Sequence, residues 1–417
     1  MHQPAAIVVE ELPAPRRALR VAVVTETYPP ELNGVAVTAA RFAEGLRGLG
    51  HQIQLIRPRQ GAADTGGADQ VLVRGMPIPR YPDLRIGFPA KRALERLWTL
   101  RRPDVVHVVT EGPLGWSALR AATKLRLPLV SDFRTNFHAY SAHYGIGWLK
   151  KPILGYLRKF HNRTLATLVP TAALRAQLSF AGFLRLRVIA RGVDTELFSP
   201  VRRDAGLRAQ WGAAPDDPVL VHVGRIAAEK NLATLMAAYE QAKRRTPRAK
   251  LVLVGEGPLR RELAARFPHA VFAGRRSGED LARHYASGDL FLFPSLTETY
   301  GNVTLEAMAS GLAVVAFDYA AAAEAIERDA SGILVRYDDN PAFIGRAAAL
   351  AADSSTAREL GRRARLAAMG RSWQAVVQQL ETVLVAAADV GAAAMLASGR
   401  LGNPLPARRG LALRRGL

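Results

Sequence analysis

The stretch ALRVAVVTETYPPELNGVAVTAARFAEGL, residues 18–46, decides the fold. Its first eight residues form a near-continuous apolar run, the pattern of a strand buried on both faces of a parallel sheet. The loop from Glu26 to Gly34 is rich in Pro, Asn and Gly. Apolar residues then return at helical spacing from Val35 through Phe42, Leu46 and Leu49. Strand, loop and helix in that order open a βαβ unit. Further strands are predicted at Ile53–Ile56, Val71–Val73, Val105–Val109 and Leu129–Ser131, with helical or loop sequence between them. The first half therefore reads as a doubly wound, mostly parallel sheet.

The pattern then repeats. After RGVDTELFSP (191–200), strands are predicted at Val219–Val223, Leu251–Val254, Ala270–Ala273, Leu290–Phe293 and Ala313–Ala316. A last helix, Ser372 to Ala388, carries Trp373, Val376, Val377, Leu380, Val383 and Leu384 on one face and must pack against something. The expected organisation is a disordered leader over 1–17, a domain over 18–190, a second over 191–370, a crossover helix over 371–390 and a basic tail over 391–417. The fold class is α/β, with two Rossmann-like domains facing a central cleft. Ligands bind such sheets outside the carboxyl ends of the strands, so the cleft is where function is sought.

Composition removes several chemistries. The 417 residues include no cysteine, which excludes disulfides, thiolate metal sites and cysteine nucleophiles and suits a reducing cytoplasm. The first residues lack the basic-then-apolar order of a secretory signal. No stretch reads as a membrane span; the nearest, Val383 to Ala397, is Ala-rich and interrupted by Asp389. The formal charge of +21 fits nucleic acid, an anionic membrane or phosphorylated substrates. Nucleic acid is disfavoured, because the basic residues are spread along the chain rather than interleaved with aromatics in one stripe.

The segment PSLTETYGNVTLEAMASG (294–311) is a strand-to-helix connection with chemistry in it. Glu298 lies in the loop, Gly301 and Asn302 begin the helix, and Glu306 sits just over one turn in. Unpaired amides around Thr299 to Asn302, at a positive helix end, would receive phosphate oxygens or sugar hydroxyls. HVGRIAAEKN (222–231) places Arg225 and Lys230 at another helix start, where cations oppose the macrodipole and ask for an anionic partner.

Together Glu298, Tyr300-Gly301 and Glu306 resemble the E-x-[FY]-G-x-x-x-x-E signature of retaining glycosyltransferase family 4, whose members have the GT-B fold. The resemblance runs from about Arg20 to about Ala388. It implies that Glu306 hydrogen-bonds the ribose of a nucleotide, and that Glu298 with the following backbone, Thr299, Tyr300, Gly301, Asn302 and Val303, holds the transferred sugar. HVGRIAAEKN is similar to the family's G-R-[LI]-x-x-E-K, which implies that Gly224, Arg225 and Lys230 approach the diphosphate. Phe272-Ala273-Gly274 resembles the backbone lining the nucleobase, with Arg275 and Arg276 beside it. RGVDTELFSP and Ser372-Trp373 resemble the family's linker and returning helix.

The first domain departs from the family in two places. TYPPELNGV corresponds to a loop where a glycine pair approaches diphosphate and acceptor, but here Asn33 precedes a single Gly34. SDFRTNFHAY has Arg134 where many relatives carry a histidine on the sugar side, and His138 lies four residues on. Arg134 is expected on the acceptor side or as a cation to the phosphates, and His138 as a replacement polar contact. The class implied is a retaining glycosyltransferase with a nucleotide-sugar donor and no required metal or other cofactor. Its rival is an inactive GT-B-like binding subunit.

AFDYAAAAEAI (316–326) resembles the subgroup of GDP-mannose-dependent α-mannosyltransferases that act on lipid acceptors; a UDP-sugar donor stays open. WLKKPILGYLRKFHNR (148–163) is a basic amphipathic helix. It reads either as an element on an anionic membrane, with Lys91 to Arg102 and the tail arginines adding attraction, or as a core helix with a solvated basic face. A cytoplasmic enzyme, peripheral on the membrane and taking a hydroxyl acceptor such as a glycolipid, is the resulting expectation.

Overall fold

The computed structural model describes residues 17–31, 34–61, 63–78, 81–134, 150–297 and 302–397. Before residue 190 the strands are β1 (Arg20–Val24), β2 (Gln52–Pro58), β3 (Gln70–Val73), β4 (Gly75–Ile78), β5 (Tyr81–Gly87), β6 (Val105–Val108), β7 (Leu129–Asp132), β8 (Ala166–Val169) and β9 (Leu186–Val188). All but β4 and β5 form one parallel sheet in the order β3-β2-β1-β6-β7-β8-β9. β4 and β5 are an antiparallel hairpin beside it.

The second sheet contains β10 (Val219–Val223), β11 (Lys250–Val254), β12 (Val271–Gly274), β13 (Leu290–Phe293), β14 (Ala313–Phe317) and β15 (Ile333–Val335). Its order is β12-β11-β10-β13-β14-β15, again fully parallel. Both sheets have the Rossmann order, which reverses direction beside the first strand. The reversal points, β1 against β6 and β10 against β13, are therefore the places to look for ligand chemistry.

The apolar runs show why the strands form. In β1, Val21 and Val23 enter one core with Phe42 and Leu46, while Ala22 and Val24 enter another with Trp98 and Leu114. β10 splits likewise, Val219, Val221 and Val223 to one side and Leu220 to the other. A strand buried on both faces has no polar alternation to show. The strands β4, β5, β8, β9 and β15 are additions to the sequence reading.

The chain crosses between domains twice, side by side. Val193 donates its amide to the Arg371 carbonyl at 3.0 Å, and Trp373 donates back to Val193 at 3.2 Å. The returning helix is Trp373–Ala397, longer than the predicted Ser372 to Ala388, and it takes in the first residues expected to be tail. By length and composition it is apolar enough to cross a membrane, contrary to the reading of the sequence. Its apolar face is already used, since Val376, Val377, Leu380 and Leu384 are buried in the β1 core of the first domain. Close approach is permitted by Gly45, where a Cβ would lie 2.5 Å from Val377. Arg17, expected in the leader, is ion-paired to Asp389 of this helix at 2.6 Å.

The basic amphipathic helix is Lys150–His161. Leu157 and Phe160 are buried in separate clusters of the first domain, and Ile153 and Leu154 pack against Leu157's, so its apolar face is core and its basic face is solvated. The membrane-lying reading of this helix is corrected on that ground.

Candidate functional site

At the carboxyl end of β10 the chain enters Gly224 and Arg225, and the neighbouring strand β13 ends at Phe293. The loops here are packed backbone on backbone. Gly224 donates to the Val254 carbonyl at 3.0 Å and Ile226 to Glu256 at 3.0 Å. Gly255 has φ +148, and any Cβ on it would collide with the Gly224 carbonyl. Such packing puts main chain, rather than side chains, on the floor of the cleft.

Two cations stand over that floor. Lys230 ends a short 3-10 turn, Ala228–Lys230; its Nζ donates to Ser295 Oγ at 3.4 Å and lies 5.6 Å from the Phe293 ring centroid. Arg225 is held only at arm's length by Glu229, at 3.4 Å, with 71% of its side chain exposed. Below them His222 is fully buried and donates its Nδ1–H to Leu292 O, 3.0 Å away, leaving Nε2 without a partner among the described residues. Burial, with Lys230 nearby, lowers its pKa to about 4, so the imidazole is neutral.

Glu306 lies on the helix Asn302–Ala309, which follows the strand β13. Tyr285, fully buried on the helix Gly278–Ala286, donates its hydroxyl to Glu306 Oε2 at 2.9 Å. Burial raises the carboxyl to about 7, and the tyrosine hydroxyl only partly offsets it. One oxygen is thus fixed, and among the described residues the other has no partner. Val303 packs against the apolar core beside Tyr285, and Asn302 Oδ1 is buried and unpartnered. Glu298, Thr299, Tyr300 and Gly301 lie outside the described residues, as do Asn33 and His138.

Gly274 ends β12 at φ +75 and accepts from Gly255 N at 2.9 Å, with Arg275 exposed beyond it. Arg276 is turned back on its own loop, donating to Ala273 O at 2.9 Å and pairing with Asp280. In the first domain Gly34 opens the helix Gly34–Gly48, and the Arg191 guanidinium lies where its Cβ would be, 2.6 Å away. Arg134 is different from the expectation. It is buried, with Nε on Asp132 Oδ2 at 2.9 Å, one terminal nitrogen on Ile189 O at 3.1 Å, and its carbon 5.0 Å from the Phe42 centroid. The guanidinium ties β7 to the linker, while its other terminal nitrogen is buried without a partner among the described residues. Burial alone would raise Asp132, but Arg134 and His107 outweigh it and hold that carboxyl below its usual range.

Comparison with known proteins accords with this geometry. Residues 32–197 match the Glycosyltransferase Family 4 model, and residues 217–353 the model of Glycosyl transferases group 1. A GDP-mannose-dependent alpha-mannosyltransferase of Mycobacterium tuberculosis is 33% identical over 87% of this chain and 95% of its own. The chain belongs to glycosyltransferase family 4. The sulfoquinovosyl transferase SQD2 of Arabidopsis thaliana is 30% identical over 91% of this chain and 75% of its own. Among solved structures, Anabaena Alr3699/HepE in complex with UDP shares the fold at a TM-score of 0.68, with 20% identity, over 88% of this chain and all of that one. The architecture is GT-B, and the activity class is transfer from a nucleotide sugar.

Several residues of this transferase carried no sequence signal. Tyr285 lies 21 residues before Glu306 and meets it only through packing. His222 was visible as the first letter of a motif, without a role. At the other reversal point Glu26 and Glu111 sit together. Glu26 Oε1 accepts from the Leu114 amide at 2.8 Å, at the N-terminus of the helix Pro113–Leu125, and Glu111 takes His161 Nε2 at 3.2 Å. Burial raises Glu26 to about 7, the Leu114 amide lowers it in part, and Glu111 adds to the rise. A lone glutamate after a strand reads as loop, which is why neither was singled out.

Proposed function

We propose that the protein transfers mannose from GDP-mannose, with retention at the anomeric carbon, to a hydroxyl of an acceptor that is lipid-linked. The observation that carries the donor half is Glu306, fixed through one oxygen by Tyr285 and with no partner at the other among the described residues. Ribose presents a vicinal diol, and such a carboxylate can take both hydroxyls. Arg225 and Lys230 flank the backbone floor where a diphosphate would lie, and they stabilise the charge that grows as the glycosidic bond breaks. This chemistry asks for no metal.

In this reading the acceptor oxygen bonds to the anomeric carbon on the face from which the diphosphate leaves. The carbon–oxygen bond to phosphate breaks, and the hydroxyl proton passes to the departing phosphate oxygen. No enzyme nucleophile is used. Mannose and GDP are favoured by the alpha-mannosyltransferase relative, while the sulfoquinovosyl transferase keeps other donors in the same fold.

The test is thermal stabilisation by GDP, UDP, ADP and their sugar conjugates in EDTA. Ligand at a hundredfold over its dissociation constant stabilises by about 2.7 kcal/mol. Selectivity for GDP and GDP-mannose is expected. Selectivity for UDP overturns the donor, and no shift with any nucleotide overturns the site. The anomeric configuration of the product, read by NMR, checks retention.

A further inference from the structure

We propose that an arginine-walled cavity on the first domain binds the oxyanion of an acidic acceptor, a phosphate, sulfonate or carboxylate close to the hydroxyl that reacts. The cavity, of about 600 Å³, is walled by Arg59, Arg74 and Arg85 together with Leu72, Val73 and Phe88. It opens where β2 ends at Pro58 and β3 at Val73, the carboxyl side of the sheet and so the side that faces the cleft.

Among the described residues its charges are unbalanced. Nearby Arg57 is buried and neutralised by Asp64 through two contacts of 2.6 and 2.9 Å, which hold that carboxyl well below its usual range. Arg59 donates to a backbone carbonyl, Asp64 O, at 2.8 Å and keeps its charge uncompensated. Arg74 and Arg85 have no carboxylate within salt-bridge distance among the described residues. Three guanidinium groups in one concavity repel each other and raise the local affinity for an anion. Their planar forks suit phosphate and carboxylate oxygens. Phe88, 43% exposed, and the partly buried Leu72 and Val73 add an apolar wall, so an amphiphile fits better than a bare ion.

The cavity is also joined to the reversal point. Gln60, just past β2, donates to Glu31 at 2.6 Å, and Glu31 accepts from Thr27 in the loop that leads to Gly34. On the other side a Cβ on Gly87 would lie 2.9 Å from Leu114, whose amide holds Glu26. An anion in the cavity would therefore sit beside the loop that opens onto the donor.

The inference rests on the transfer reading only for the word acceptor; anion binding stands or falls separately. The test compares the full chain with the double variant Arg74→Gln/Arg85→Gln and a charge-matched control, Arg244→Gln/Arg245→Gln, on an exposed helix end of the second domain. Binding to neutral phosphatidylcholine vesicles containing phosphatidylglycerol is measured, with diacylglycerol in its place as the neutral arm. Cavity variants should lose about tenfold or more on the acidic vesicles, with the control within about twofold. Glycerol 3-phosphate competing with the vesicles assigns recognition to the free head-group anion; failure to compete assigns it to the lipid surface. Equal losses in cavity and control variants, or none in the cavity variant, overturn the proposal. All three proteins should keep the same nucleotide-induced thermal shift. Loss of that shift in the wild-type chain itself would count against the transfer reading and leave the vesicle comparison intact.

Discussion

Glu306 and Glu26 are the same chemical group in the same predicament, one in each domain. Both leave the carboxyl side of a central strand, and burial pushes both to about 7. They differ in what surrounds the second oxygen. Glu306 has one oxygen fixed by Tyr285 and the other without a partner among the described residues. Glu26 has one oxygen on a helix N-terminus, and its whole carboxyl group is packed against Gly112, where a Cβ would collide with both oxygens. A carboxyl packed against main chain fastens β1 to the helix after β6, whereas the oxygen of Glu306 that lacks a partner among the described residues is the one we read as a ligand position. A shifted pKa does not separate the two.

The largest effect should come from neither carboxylate. Replacing both Arg225 and Lys230 by alanine removes the cations over the leaving group, and kcat should fall by about 10²- to 10³-fold with the fold intact by circular dichroism. If kcat is unchanged and only the donor KM moves, the cations serve ground-state binding and the assignment fails. Next, Glu306→Ala should raise the donor KM by about 30- to 100-fold, the loss of a charged hydrogen-bonding partner. Glu26→Ala should leave the donor KM within about twofold and lower the midpoint of thermal unfolding instead. Equal effects on donor KM from both would erase the distinction between them.

The pH dependence of stability tests what the two share. Each carboxyl holds its proton more tightly in the folded protein than at the ordinary value of 4.5. The folded state is therefore favoured below about 4.5, and this contribution is lost as pH rises through about 7. Unfolding free energy should fall by roughly 1–3 kcal/mol per group over that window, and Glu26→Gln or Glu306→Gln should each flatten the slope. A slope unaltered in Glu26→Gln would show that Glu26 is ionised in the fold. The smallest effect is expected of Tyr285→Phe, which removes one hydrogen bond worth about 0.5–1.5 kcal/mol and should weaken donor binding a few-fold without touching kcat.

How much of this was legible in the residues depended on whether a feature is local. Continuous apolar runs made β1, β10, β13 and β14 readable, because a doubly buried strand must be apolar at every position. β9 and β15 are three-residue strands, too short to show a period. Gly224, Arg225, Lys230 and Glu306 were readable because strand, loop and helix start place them by local geometry. The surroundings of Arg134 could not be read from the sequence because its partners, Asp132, Phe42 and the Ile189 carbonyl, come from three separate elements. The helix Lys150–His161 was ambiguous for the same reason, since amphipathicity states that a face is apolar and not what covers it. Ala320 illustrates the reverse case. In the sequence it is one alanine in a run of them, and only the backbone shows that it sits at φ +51, where an alanine is strained.

The sequence by itself determined the class of fold and the apolar runs of its central strands, and it marked the motif residues proposed for the donor side. These follow from chain-local rules of burial, turn chemistry and helix polarity. Tertiary structure alone decided which carboxyl is held by Tyr285, which arginines are neutralised, and where three guanidinium groups without a carboxylate partner among the described residues meet around one cavity. Charge compensation and desolvation depend on neighbours brought from distant parts of the chain, and no local pattern records them.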